Sequence, residues 1–122
     1  MDKTFLLVGA VAGFLAVALG AFGAHGLRAR LSPEMLAAFE TGVRYHMYHA
    51  LAIVLVGLIM GRFDGWMIRA AGWAFTVGIV LFSGSLYLLA VTGVTMLGAI
   101  TPIGGLAFLL GWGLLAVAAV AV

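Results

Sequence analysis

The sequence predicts an all-α integral membrane protein, a four-helix transmembrane bundle with a helical extension ahead of its second span. Three observations lead there. From Ala70 to Val122 no Lys, Arg, Asp or Glu occurs, whereas about 25% of residues in a typical soluble globular domain are charged. The chain is 66% hydrophobic and 8% charged, with a mean hydropathy of +1.28. Its 122 residues accommodate four spans of roughly 20 apolar residues with short connections, all within a single domain, 1–122.

The first span covers about 4–24. It follows Asp2 and Lys3 and is longer than the roughly 7–15-residue apolar region of a secretory signal, so it reads as a retained helix. Gly9, Gly13, Ala16, Gly20 and Ala24 recur at or near every fourth position, a spacing that lets helix backbones approach closely in lipid.

Residues 25–31 form a polar interruption containing His25, Arg28 and Arg30. Ser32 is then an N-cap, Pro33 a first helical residue and Glu34 a first-turn acid. No strong stop follows until Gly61. The resulting helix is roughly 42 Å long at 1.5 Å per residue, against roughly 30 Å of hydrocarbon. Its start, about 33–41, is therefore expected to protrude or lie in the interface, leaving span two at about 42–61. Glu40 and Arg44 stand four residues apart in the supportive order. Gly57 and Gly61 add another small-residue pair.

Arg62, Asp64, Gly65, Trp66 and Arg69 mark a return to the membrane surface. Span three covers about 68–91 and carries Ala70, Ala74, Gly78 and Gly84 as packing positions. Residues 92–103, with Gly93, Gly98 and Pro102, read as an uncharged loop before span four at about 104–122. Basic residues divide almost evenly between the two sides. Lys3, Arg62 and Arg69 tip the positive-inside rule towards cytoplasmic termini.

Helical rise also estimates depth. Counted from Gly61, His49 lies roughly 18 Å into the membrane and Arg44 roughly 26 Å. Ser83 and Tyr87 lie roughly 21 and 27 Å past Arg69. His25, Arg44, Tyr45, His46, Tyr48, His49, Ser83, Ser85 and Tyr87 thus share the half of the membrane away from the amino terminus. Ionisable groups at the bilayer centre cost at least about 2.5–3.5 kcal/mol, so they are expected to turn inward and pair. Tyr45, Tyr48 and His49 share an arc of about 100°, with Arg44 and His46 at its margins. A hydrated polar cavity is one reading; a snorkelling interfacial belt is the other.

The runs Gly20–His25, Glu40–Gly42 through Tyr45 to His49, Val80–Tyr87, Thr101–Gly105 and Gly111–Trp112 resemble domain-of-unknown-function family 423, small bacterial inner-membrane proteins related to the eukaryotic transmembrane protein 256 group. The resemblance spans essentially the whole chain. It implies four helices and an inner-membrane location, and carries no established activity. Its motif residues add Thr101 to the polar set.

The favoured function is a structural or accessory bundle that self-associates or joins a larger membrane complex, with the lipid bilayer as its immediate partner. The alternative is passage of protons or small solutes through a cavity lined by His25, His49, Ser83, Ser85 and Tyr87. Bis-histidine haem ligation by His25 and His49 and hydrolysis by Ser83 or Ser85 with His49 are weaker readings, and catalysis is not expected. No cofactor is expected. Three His without paired carboxylates or thiolates do not form a recognisable metal set, and no phosphate-binding glycine loop is present. A net charge of +2 with scattered basic residues does not suggest nucleic-acid binding. The absence of Cys excludes disulfides and thiolate chemistry.

Overall fold

A computed structural model of the chain describes residues 2–63 and 65–121. Asp64, read above as a loop charge, Val122, the expected end of span four, and the Ala24 side chain lie outside that description. Five α-helices follow in order: α1 Thr4–Gly26, α2 Pro33–Ile59, α3 Trp66–Gly78, α4 Gly84–Thr92 and α5 Thr101–Ala121. A π-helical turn, Ile79–Ser83, joins α3 to α4 without a break, and a 3-10 turn, Thr95–Ala99, leads into α5. Among the described residues, four helical units are long and apolar enough to cross a membrane.

Local chemistry explains the ends. Asp2 Oδ1 accepts from the Thr4 amide at 2.9 Å, placing a carboxylate at the positive end of α1. Ser32 Oγ accepts from the Met35 amide at 3.2 Å, with Pro33 at the first helical position, as the cap pattern predicts. Gly93 closes α4 in the left-handed region, at φ 72°, where only glycine sits without penalty.

Residues 92–103 are more helical than the sequence suggests. The Leu97 amide donates to Val94 O at 3.2 Å and the Ile100 amide to Leu97 O at 3.1 Å, which winds the segment into a 3-10 turn. Pro102 stands in the first turn of α5, where a missing N–H costs nothing. It starts the helix rather than interrupting the chain, so α5 begins three residues before the expected Gly104. Span one likewise continues to Gly26 and takes His25 into the helix.

α2 is the central post. α1 packs along one side of it and the α3–α4 unit along another, while α5 packs mainly on α3 and the π turn. Close approach rests on glycine. A Cβ on Gly9 would come within 2.7 Å of the Val54 amide nitrogen, and one on Gly57 within 2.8 Å of the Leu6 amide nitrogen. On the other flank the Phe108 ring lies over Gly78 and the Phe75 ring over Gly111. The core joins Phe5, Ile53, Val56, Phe75 and Phe108. Lipid supplies no hydrophobic drive between helices, so this contact density is what holds them together.

Not every small residue is used. A Cβ on Gly20 would come within 3.1 Å of Val43, but one on Gly13 would meet Ala50 only at 3.9 Å, and one on Gly61 or Gly84 would meet nothing within 4 Å. Phe14, Phe22, Leu106, Leu109 and Val120 face outward, as a lipid-facing surface requires.

Candidate functional site

The buried stripe of α2 is Gly42, His46, His49, Ile53 and Val56, a 3.6-residue repeat aimed at the other helices. Its upper half meets α4 and α5 and forms a layer of polar contacts. His46 Nδ1 and the Tyr87 hydroxyl are 2.8 Å apart, joining α2 to α4. Ser83 is fully buried, and its hydroxyl donates to the Gly42 carbonyl at 2.7 Å. Ser85 and Thr101 share a hydroxyl contact of 2.6 Å between α4 and α5, and Ser85 also donates to Phe82 O at 2.9 Å.

His49 is the most constrained member. Its Nδ1 lies 2.7 Å from the Tyr45 carbonyl. A carbonyl only accepts, so Nδ1 carries the proton. The Trp112 indole, a donor only, gives its N–H to His49 Nε2 at 3.1 Å. Both ring nitrogens are thus committed in one tautomer. The imidazole also stacks on Phe108 at a centroid distance of 3.6 Å and an angle of 7°. It has neither a lone pair open to a metal or haem iron nor a free nitrogen for acid–base work on a serine. Ser83 and Ser85 spend their hydroxyls on backbone and Thr101, not on an imidazole.

The layer has a backbone component too. In the π turn the Gly84 amide donates to the Ile79 carbonyl, one residue beyond the α-helical partner. At this level a Cβ on Gly104 would lie 2.7 Å from the Phe82 Cα. α5 therefore touches the backbone of the π turn while Ser83 ties that turn to α2.

The expected site residues separate into two groups. Tyr45, His49, Ser83, Ser85, Tyr87 and Thr101 gather in the layer. Tyr45 contributes its carbonyl and a ring 4.8 Å from that of Phe82. His25, Glu40 and Arg44 do not join. His25 is exposed at the end of α1. Arg44 is exposed and donates to Thr41 Oγ1 at 3.1 Å, one turn back on the helix, rather than pairing with Glu40. The sequence sets His46 at the level of the layer but only at the margin of the inward arc, and marks Trp112 only within the Gly111–Trp112 motif run; Phe108 it does not mark. The stripe through Gly42, Ile53 and Val56 would have pointed to His46, since it centres between His46 and His49 rather than on Tyr45 and Tyr48. Nothing local pairs Trp112 with His49.

Two lateral grooves flank the layer. One of about 520 Å³ lies between α2 and α5 and is lined by Tyr45, Tyr48, His49, Gly105, Phe108 and Trp112. The other, about 480 Å³, is apolar and lies beside Val80, Gly84, Leu88, Leu97 and Ile100. Outside the spans, Asp2 is held at about 2, below the ordinary 3.8, by hydrogen bonds from Thr4 and then from Arg69. The Arg69 guanidinium lies 3.0 Å away in the one ion pair among the described residues.

A family model described as "Protein of unknown function (DUF423)" matches residues 19–105. The UPF0382 membrane protein YwdK of Bacillus subtilis (strain 168) is 50% identical over 119 residues, covering 97% of either chain. The UPF0382 membrane protein SH2409 of Staphylococcus haemolyticus (strain JCSC1435) is 47% identical over 110 residues, 90% of this chain and 89% of its own. In Staphylococcus epidermidis, the UPF0382 membrane protein SERP0230 is 48% identical over 116 residues, 95% and 94% of the two chains. No solved structure matches the chain. The four apolar spans and these relatives together identify the chain as a membrane protein of the DUF423 family.

Proposed function

We propose that this protein is an accessory bundle of the bacterial inner membrane, acting by lateral association with copies of itself or with a larger membrane complex. The observation that carries this reading is the closed polar layer. His49 has both nitrogens engaged, His46 is paired with Tyr87, and Ser83 and Ser85 are bonded to neighbouring helices. Such a layer stiffens and registers a bundle, with both His49 nitrogens and the Ser83 and Ser85 hydroxyls already committed to bonds. The outer surface, by contrast, keeps grooves beside Gly84 and Trp112 that the chain itself does not fill. Small residues with nothing packed on them suit close helix contact in lipid. Solute passage lacks comparable support, since the polar side chains bond to one another instead of lining an open path.

Native mass spectrometry of protein released from its own membrane tests the reading. A homo-oligomer or a recurrent membrane partner is expected. A monomer without partners overturns it, as does a proton or solute flux in vesicles that His49→Ala abolishes. Cytoplasmic termini follow from Lys3, Arg62 and Arg69 under the positive-inside rule. The chain has no Cys, so Lys3→Cys shielded from an impermeant thiol reagent and Arg30→Cys labelled from outside is the expected pattern.

A further inference from the structure

We infer that the groove at the end of the α1–α2 hairpin seats an anionic phospholipid, with the Arg30 guanidinium on its phosphate. The groove has a volume of about 470 Å³ and is walled by Leu19, Phe22 and Gly23 of α1, Phe39 of α2 and Val91 of α4, with Arg30 at its mouth. That volume falls in the range of roughly 300–1,000 Å³ typical of small-molecule sites. Three helices contribute, so the groove is a property of the bundle and not of one helix surface.

Its length and charge specify the occupant. Leu19 lies seven residues before Gly26, so the groove runs roughly 10 Å down from the helix end. Its walls are aliphatic and aromatic throughout, which suits an acyl chain. Arg30 and Arg28 lie on a turn of residues 27–32 that carries no acid. Among the described residues the single ion pair, Asp2–Arg69, joins the amino-terminal ends of α1 and α3, at the far end of α1 from the groove. Arg30 is exposed and has no carboxylate partner there. An occupant must then present an apolar body below and negative charge at the interface. Free phosphate fails the first requirement. A zwitterionic lipid meets the second poorly, because its own cation offsets the phosphate. An anionic phospholipid meets both, and the guanidinium fork matches phosphate oxygens. Membrane location is established by the family and the spans, so this inference stands whether or not the protein associates laterally.

The test uses the full chain in nanodiscs of mixed phosphatidylglycerol and phosphatidylcholine, with lipid retention read by native mass spectrometry. One retained phosphatidylglycerol is expected, preferred over phosphatidylcholine by about fivefold, the scale of one basic residue at an anionic surface. Arg30→Ala should bring the ratio close to one, Arg30→Lys should keep most of it, and Arg62→Ala, exposed on the other side, should leave it unchanged. Val91→Trp, which fills the groove, should reduce retention of both lipids. Equal retention of the two lipids by the wild type, or a preference that survives Arg30→Ala, overturns the inference. So does an acidic protein segment found in the groove in place of lipid.

Discussion

Gly104→Ala adds one methyl group at the glycine whose Cβ would press closest on the backbone of a neighbouring segment. The new Cβ would lie 2.7 Å from both Cα and Cβ of Phe82, and closer still to its amide nitrogen. Ordinary contact begins at 3.4 Å, so α5 must retreat by at least about 0.7 Å, since no rotamer change moves a backbone. A gap of that size forfeits about a quarter to a half of the attraction across each affected atom pair, and a buried side chain makes about 40–60 such contacts at about 0.1–0.2 kcal/mol each. Phe108, one turn on and stacked over Gly78 and His49, would lose most. The expected cost is about 2 kcal/mol, inside the range of roughly 1–3 kcal/mol for overpacked cores. Gly105→Ala is the control. Its Cβ would meet Phe82 Cδ2 at 3.9 Å, so the change should stay within about 0.5 kcal/mol. Near-UV circular dichroism along a dodecyl sulfate titration measures both. If the two variants unfold at the same midpoint, the close approach of α5 to the π turn does not hold the bundle together.

Trp112→Phe keeps an aromatic ring but deletes the donor to His49 Nε2, and should cost about 1 kcal/mol; a midpoint equal to wild type would mean the bond contributes nothing. A double-mutant cycle of His46→Ala with Tyr87→Phe should return a coupling near 0.6 kcal/mol, and at most about 1.7 kcal/mol, the range of hydrogen bonds between membrane helices; additive effects would sever that link. The Asp2 carboxyl titrates below its unfolded value when folded, so its contribution is whole above about pH 4 and disappears as pH falls through about 2. The difference in thermal midpoint between wild type and Asp2→Asn should therefore be flat from neutral pH down to about 4 and shrink below it. A gap that closes instead near neutral pH would assign it to another group.

The four spans were legible because charge and apolarity separate over long windows, and because Ser32–Pro33 is a cap that forms without tertiary help. Glycine spacing was legible only as potential. It marks where a backbone can come close but carries no direction, so Gly9, Gly57 and Gly78 found partners within the chain while Gly84 and Gly61 did not. The π turn left no sequence signal. It exists alongside Ser83 bonding to Gly42 O and Gly104 pressing on Phe82, contacts made only after folding. Depth counting placed His49, Ser83 and Tyr87 at one level, yet it could not choose between Tyr45 and His46, which sit one residue and about 100° apart. The stripe of buried residues decides that choice. Trp112 stood in a motif run, but its partner was not legible because it reaches His49 across 63 residues. Pro102 misled through its usual role as a breaker, which lapses in a first turn.

The indole of Trp112 is a built-in optical reporter. Trp66, Trp73 and Trp112 are 71%, 51% and 45% exposed, and what sets Trp112 apart is its bond: among the described residues only it donates its N–H to a protein acceptor. Indole emission responds to hydrogen bonding at that nitrogen and to quenching by a neighbouring imidazole. With the other two replaced by Phe, light from position 112 would report the docking of the last helix onto the post in real time. Insertion of the chain into vesicles could then be timed without any attached dye.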